Sequence, residues 1–135
     1  MRHGRRAAAP ALLARSALGV NGRAGANEQV KVAVIGLGGR ASGVMGDIAG
    51  LSEMRVVAVS DCFTPRIGAF INGPGKDKGW KGYDDFRKMI ETEKPDGVMV
   101  ETTTHARAWI VIHSMLMGCD TYIEKPMALT IAEGR

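Results

Sequence analysis

The sequence lacks the cysteine patterns that mark a disulfide scaffold or a metal site. Its 135 residues include two cysteines, Cys62 and Cys119, which lie 57 positions apart. They form neither a CxxC pair nor part of a Cys/His/carboxylate cluster with metal-ligand spacing. We therefore expect two buried or partly buried free thiols and no bound metal.

The sequence also lacks long apolar runs, and residues 31–135 carry no net charge. No run reaches the roughly 18 apolar residues of a membrane helix, so no membrane span is expected. The formal net charge of +4 arises within residues 1–30, because residues 31–135 hold 13 basic and 13 acidic side chains. A neutral body without a basic stripe argues against nucleic acid as a partner.

Residues 1–29 show no sustained helical or strand period, and we expect a leader or disordered arm there. Arg5-Arg6, the apolar stretch 7–14 and Ala24-Gly25-Ala26 outline a twin-arginine export signal with an A-x-A cleavage site. Arg15 cuts the apolar stretch short, so a non-native extension or a cytoplasmic arm remains open. The protein is accordingly expected in the periplasm if the arm is a signal, and otherwise in the cytoplasm.

From residue 30 onward, short apolar runs alternate with helical patterns, which is typical of βαβ units and a parallel sheet. Strands are expected at 31–35, 55–59, 97–100 and 121–123. Helices are expected at 40–49, 64–71, 84–93 and 105–117. Asp84 would cap the third helix, Gly118 would end the fourth, and 76–81 would be a mobile loop. The predicted fold class is α/β, a Rossmann-type doubly wound parallel sheet over residues 30–135.

The last residues, Thr130-Ile131-Ala132-Glu133, form a capping box that opens a further helix. We interpret the domain as incomplete at its C-terminal end. The strand at 121–123 is then expected at an open edge of the sheet.

The loop between the first strand and the first helix carries a dinucleotide-binding pattern. It reads Gly36-Leu37-Gly38-Gly39-Arg40-Ala41, which matches G-x-G-x-x-[GA]. Gly36 permits the tight turn, Gly38 lets the backbone approach a pyrophosphate, and Ala41 lets the helix pack closely on the strand. The pyrophosphate would lie on free amides at the helix N-terminus.

Asp61 ends the second strand 25 residues beyond Gly36. An acidic residue there accepts hydrogen bonds from the adenosine ribose and repels a 2′-phosphate, so NAD is expected rather than NADP. Arg66, one helical turn further, is either a solvated helix residue or a contact for a 2′-phosphate.

With this loop, Asp61 and the tripeptide Glu124-Lys125-Pro126, the sequence resembles the Gfo/Idh/MocA family, the relatives of glucose-fructose oxidoreductase and inositol dehydrogenase. The resemblance covers about residues 30–135 and includes Tyr83–Phe86 and Pro95–Val98. It implies hydride transfer between a tightly held nicotinamide cofactor and a sugar, polyol or related hydroxy compound. It also implies a homo-oligomer when the protein is full length.

The resemblance assigns roles to single residues. The family lysine falls on Lys125, whose ammonium would stabilise alkoxide character as hydride is transferred. Glu124 and Pro126 would bind the cofactor beside it. Members supply the general acid and base mostly from a C-terminal substrate domain, and these 135 residues contain no counterpart of it.

One segment departs from the family. Members usually show Thr-Pro-Asn and a histidine pair after the fourth strand, whereas this chain reads Thr102-Thr103-Thr104-His105-Ala106-Arg107. Thr102, Thr103 and His105 are therefore either cofactor neighbours or the start of the helix, which Thr104 could cap. His113 is expected as a core or boundary residue, and Trp109 and Met115 as packing residues.

Three functions stay open. The first is the cofactor domain of an NAD-dependent oxidoreductase. The second is redox-neutral glycoside cleavage, in which bound NAD oxidises a sugar transiently so that elimination can occur. The third is a non-catalytic dinucleotide-binding fragment.

Overall fold

The computed structural model of the chain describes residue 25 and the segments 28–48 and 50–135. Almost all of the predicted leader, including the arginine pair and the apolar stretch, lies outside the described residues. Ala49, the last residue of the first predicted helix, also lies outside them.

Five parallel strands and four helices alternate along the chain. The strands are β1 (Val30–Ile35), β2 (Met54–Ser60), β3 (Lys81–Tyr83), β4 (Gly97–Val100) and β5 (Asp120–Ile123). The helices are α1 (Gly39–Ile48), α2 (Thr64–Asn72), α3 (Phe86–Glu93) and α4 (Thr104–Leu116). The strand order is β3-β2-β1-β4-β5, so the predicted Rossmann-type α/β fold is confirmed and β5 lies at an edge of the sheet, as expected.

Helices cover both faces of the sheet, and the apolar side chains of β1 point alternately into a hydrophobic core on each face. Val32 and Val34 pack with residues of α1 and α2. Ala33 and Ile35 pack with residues of α3 and α4 on the opposite face. A central strand buried on both faces explains the near-continuous apolar run at 31–35. The order also reverses beside β1, since its two neighbours are β2 and β4, and ligands of open α/β sheets bind at such a point.

The predicted loop over 76–81 ends earlier in the structure, because Trp80 is buried and Lys81 belongs to a strand. Turns lead from Gly73 to Trp80, whose side chain is only 8% exposed. Lys81 then begins β3, which pairs in parallel with the end of β2. This strand is short, polar and at the sheet edge, so it lacks the apolar pattern that identifies a buried strand.

Two predicted helix caps shift by one residue. Asp85 rather than Asp84 caps α3, and its Oδ1 accepts a 2.9 Å hydrogen bond from the Arg87 amide. Thr103 rather than Thr104 precedes α4, and its side chain makes no capping bond within the described structure. Adjacent Asp or Thr residues offer equal capping chemistry, so the backbone decides between them.

The solvent exposure of individual side chains confirms some of the packing predictions and corrects others. Cys119 is buried as expected, whereas Cys62 is exposed. His113 lies at the boundary of the core, as predicted. Met115 is 60% exposed and does not pack in the core, and Trp109 meets Phe86 edge-on while staying 47% exposed.

The capping box near the end of the chain is present. The Glu133 amide donates to Thr130 Oγ1 over 3.2 Å, and the Thr130 amide donates to Glu133 Oε2 over 3.3 Å. Within the described part of the chain, no helix is both long and apolar enough to cross a membrane.

Candidate cofactor-binding site

The glycine loop lies between the ends of β2 and β4. Its first glycine, Gly36, has φ +90°, and a Cβ there would come within 2.8 Å of the Thr102 amide nitrogen. The Gly36 amide also donates to Ser60 O over 2.8 Å. Gly38 differs, because a Cβ there would meet nothing within 4 Å in the described structure. Gly36 is thus required by the protein itself, whereas Gly38 leaves open space beside the start of α1.

A cavity of about 420 Å³ lies at this end of the sheet. It brings together eight of the residues proposed from the sequence: Gly36, Leu37, Gly38, Asp61, Arg66, Thr102, Thr103 and His105. The remaining six do not line it: Gly39, Arg40, Ala41, Glu124, Lys125 and Pro126. Ala41 is fully buried against the sheet, as its packing role requires.

Asp61 joins the glycine loop to the end of β2. Its Oδ2 accepts the Leu37 amide at 2.7 Å, and its Oδ1 accepts the Phe63 amide at 2.8 Å. The side chain is 5% exposed, and Arg66, which is 54% exposed, approaches it to 3.7 Å. Asp61 therefore fixes the loop conformation, and each oxygen keeps one lone pair for a further donor.

The segment after β4 lies opposite Asp61 across the loop. Thr103 Oγ1 and His105 Nδ1 are 3.1 Å apart, within hydrogen-bonding distance. Thr102 Oγ1 is buried and has no partner among the residues described. An orphaned hydroxyl at a cavity wall suits a ligand that brings its own hydrogen-bonding groups.

Glu101, which sequence reasoning missed, belongs to the same wall. It is 7% exposed, and neither carboxylate oxygen has a hydrogen-bond partner in the described part of the chain. Burial, followed by the nearby charge of Glu124, raises the pKa of the Glu101 carboxyl. The signal was present in the sequence, because Glu101 is a charged residue directly after a buried apolar strand.

Arg107 was noted only as a departure from the family pattern, yet it links two parts of the site. Its side chain is buried and donates to the carbonyl oxygens of Thr102 and Pro126. The segment after β4 is thereby tied to the segment after β5. A planar guanidinium with five N–H donors can bridge two carbonyls in this way.

The Glu124-Lys125-Pro126 segment follows β5. Glu124 pairs with Arg40 of α1, with 2.5 Å between Oε2 and Nε. The Lys125 amide and then the Arg40 guanidinium lower the pKa of the Glu124 carboxyl. The Lys125 side chain itself is exposed at the carboxyl end of the sheet.

A second groove, of about 480 Å³, lies between α1 and the β4–β5 side of the sheet and is largely apolar. Neither Gly36, Gly38 nor Asp61 lines this groove, so it is not the candidate site. No group of three metal-ligating side chains occurs within residues 28–48 and 50–135. The cavity that contains Gly38, Asp61 and the orphaned side chains of Glu101 and Thr102 is the part that fits a dinucleotide.

Comparison with known proteins supports this interpretation. Residues 30–135 match the model of the Gfo/Idh/MocA family, described as an oxidoreductase family with an NAD-binding Rossmann fold. Glycosyl hydrolase family 109 protein 1 of Akkermansia muciniphila is 28% identical over 112 residues, 78% of this chain and 23% of that protein. Glycosyl hydrolase family 109 protein 2 of Shewanella sp. strain ANA-3 is 30% identical over 112 residues, 78% of this chain and 25% of that protein.

Solved structures share the fold. The WlbA dehydrogenase of Chromobacterium violaceum, in complex with NADH and UDP-GlcNAcA, aligns with TM-score 0.73 and 19% identity over 85% of this chain and 32% of that one. The scyllo-inositol dehydrogenase of Lactobacillus casei, with bound NAD(H) and scyllo-inositol, aligns with TM-score 0.70 and 18% identity over 78% and 31%.

The chain spans about a quarter of the length of its curated relatives and about a third of the solved chains. Over that length the family match covers all five strands and the site described above. The chain therefore belongs to the Gfo/Idh/MocA oxidoreductase family, of which it comprises the NAD-binding Rossmann domain.

Proposed function

We propose that this chain is the cofactor half of an enzyme that transfers hydride between NAD and a sugar, polyol or related hydroxy compound. The observation that carries the proposal is the cavity at the carboxyl ends of β1, β2 and β4, where the glycine loop, Asp61 and Thr102 meet. When bound, the nicotinamide would supply the hydride chemistry. The residues of this chain would bind and orient it.

NAD rather than NADP is the proposed cofactor. Asp61 presents a buried carboxylate beside the glycine loop, and a 2′-phosphate placed there would meet like charge. Arg66 favours NADP instead, because its exposed guanidinium lies near Asp61 and could contact a 2′-phosphate. The Arg66 side chain is half exposed and lies 3.7 Å from Asp61, so the ion pair is weak and we give the carboxylate the greater weight.

Lys125 is the proposed catalytic residue of the domain. It stands at the carboxyl end of β5, while Arg107 fixes the carbonyl of the following Pro126. An ammonium held there would stabilise negative charge on the substrate oxygen during hydride transfer. Its exposure in this chain suits a residue that meets a substrate rather than one that packs in the core.

A second candidate is NAD-dependent, redox-neutral glycoside cleavage. It is favoured by the curated relatives, which are named glycosyl hydrolase family 109 proteins. The same cofactor cavity would serve both reactions.

The product of the complete gene tests the proposal. It should form NADH from NAD when given a panel of sugars and polyols, and Lys125→Ala should abolish this signal. Release of aryl alcohol from aryl glycosides without net NADH formation would instead favour the second candidate. Binding of NAD with neither activity would leave a non-catalytic dinucleotide-binding protein and refute both.

The 135-residue chain alone should turn over none of these compounds. It carries a lysine that can stabilise an oxyanion, but the family's acid and base residues come from a further domain. Measurable dehydrogenase activity of the purified chain, lost in Lys125→Ala, would show that the cofactor domain needs less help than we propose.

A further inference from the structure

Glu101 is a buried carboxyl group that the proposed function has not yet used. It follows β4 directly, is 7% exposed, and lines the same cavity as Gly36 and Leu37. Neither of its oxygens has a hydrogen-bond partner among the residues that the structure describes. A buried carboxyl without a partner is costly, so its presence at a cavity wall points to a ligand.

The order of the strands indicates which part of a ligand Glu101 would meet. Asp61 follows β2 and Glu101 follows β4, so the two carboxyls flank the glycine loop that follows β1. A pyrophosphate on that loop, with the adenosine ribose at Asp61, directs the other half of the dinucleotide toward β4. This step rests on the proposed function.

The charged groups that face Glu101 do not neutralise it by direct contact. Arg40, Arg107 and Glu124 are near enough to influence its ionisation. Yet Arg40 bonds to Glu124, and Arg107 bonds to the carbonyls of Thr102 and Pro126. Burial raises the pKa of Glu101, and a cationic ligand group would oppose that effect.

We propose that Glu101 binds the nicotinamide end of the dinucleotide and favours its oxidised form. The oxidised ring is positively charged and the reduced ring is neutral, whereas both carry a carboxamide that can donate a hydrogen bond. A carboxylate in a site of low dielectric attracts the charged ring much more strongly. Glu101 therefore sets the relative affinity for NAD⁺ and NADH.

The test is titration of the 135-residue chain with ADP-ribose, NAD⁺ and NADH at about pH 8, well above the ordinary pKa of a glutamate carboxyl. Glu101→Gln removes the charge and keeps the shape. It should weaken NAD⁺ binding at least tenfold, about 1.4 kcal/mol, and NADH binding by less than about threefold. ADP-ribose, which lacks the nicotinamide, should bind unchanged.

Asp84→Asn is the matched control, because Asp84 lines the same cavity but is exposed and follows β3. It should leave the NAD⁺ to NADH affinity ratio unaltered. Glu101→Ala removes the charge without adding a buried amide, and the ratio is taken from whichever variant retains ADP-ribose binding. An unchanged ratio in that variant overturns the role of Glu101. A wild-type chain that binds none of the three ligands refutes the proposed function instead.

Discussion

The two glycines of the loop offer a paired test of what belongs to the fold and what belongs to the ligand. In Gly36→Ala the new Cβ meets the Thr102 amide nitrogen at 2.8 Å and its Cα at 2.9 Å, with φ at +90°. The backbone strain costs roughly 1–2 kcal/mol and the crowding roughly 1–3 kcal/mol. We expect a loss of about 3 kcal/mol in the free energy of unfolding, or at least about 12 °C in Tm.

Gly38→Ala adds the same methyl group where nothing lies within 4 Å of it in the described structure. Gly38 directly precedes α1, and alanine is a poorer N-cap than glycine. The free energy of unfolding of the Gly38→Ala variant should therefore fall by no more than about 1 kcal/mol. Its NAD affinity should nevertheless fall at least about tenfold, because the methyl group blocks the approach of the pyrophosphate. Urea unfolding followed by circular dichroism and calorimetric titration give the two quantities. Equal stability losses in the two variants would refute the assignment of Gly36 to the fold, and unchanged NAD affinity in Gly38→Ala would refute that of Gly38.

Three further predictions concern stability and assembly. Because the Arg87 guanidinium lowers the pKa of Asp85 to about 2, Asp85→Ala should cost about 1 kcal/mol at neutral pH. In acid titrations of unfolding, that difference should shrink between about pH 4 and pH 2. The Asp85 carboxylate stabilises the folded state only while it is charged, and it becomes protonated as the pH falls through this range. Arg107→Ala should cost about 3 kcal/mol and speed amide exchange around Pro126, with Arg107→Lys restoring little, because lysine lacks the planar fork. The open edge at β5 should make the chain self-associate in sedimentation runs at rising concentration, and a monomer with strongly protected amides at 120–124 would contradict this.

The elements that sequence reasoning predicted well have strong local signals. β1 is apolar and β-branched because both its faces are buried, and the glycine loop follows it in the order that the dinucleotide pattern requires. The prediction that β5 lies at the sheet edge rests on the family resemblance, in which a further strand pairs beside 121–123, and the strand order confirms the edge position. For β1 and the glycine loop, residues that are neighbours in sequence carry the whole argument.

The elements that were missed depend on contacts between distant residues. β3 exists because Lys81–Tyr83 pairs with the end of β2, and no property of those three residues predicts it. Arg107 acts through carbonyls five and 19 positions away. Glu101 carries a local signal, as a charged residue directly after a buried strand, but only the fold shows that both its oxygens lack partners within the described residues.

The central claim is that this chain binds a dinucleotide, and calorimetric titration of the 135-residue chain with NAD and NADP tests it most directly. We predict saturable binding of NAD at one site, with NADP weaker by at least about tenfold because of Asp61. Arg66→Ala should leave this preference in place. Equal affinities, or a preference for NADP that disappears in Arg66→Ala, would show that the arginine governs the ribose pocket. A folded chain that binds neither nucleotide would contradict the central claim.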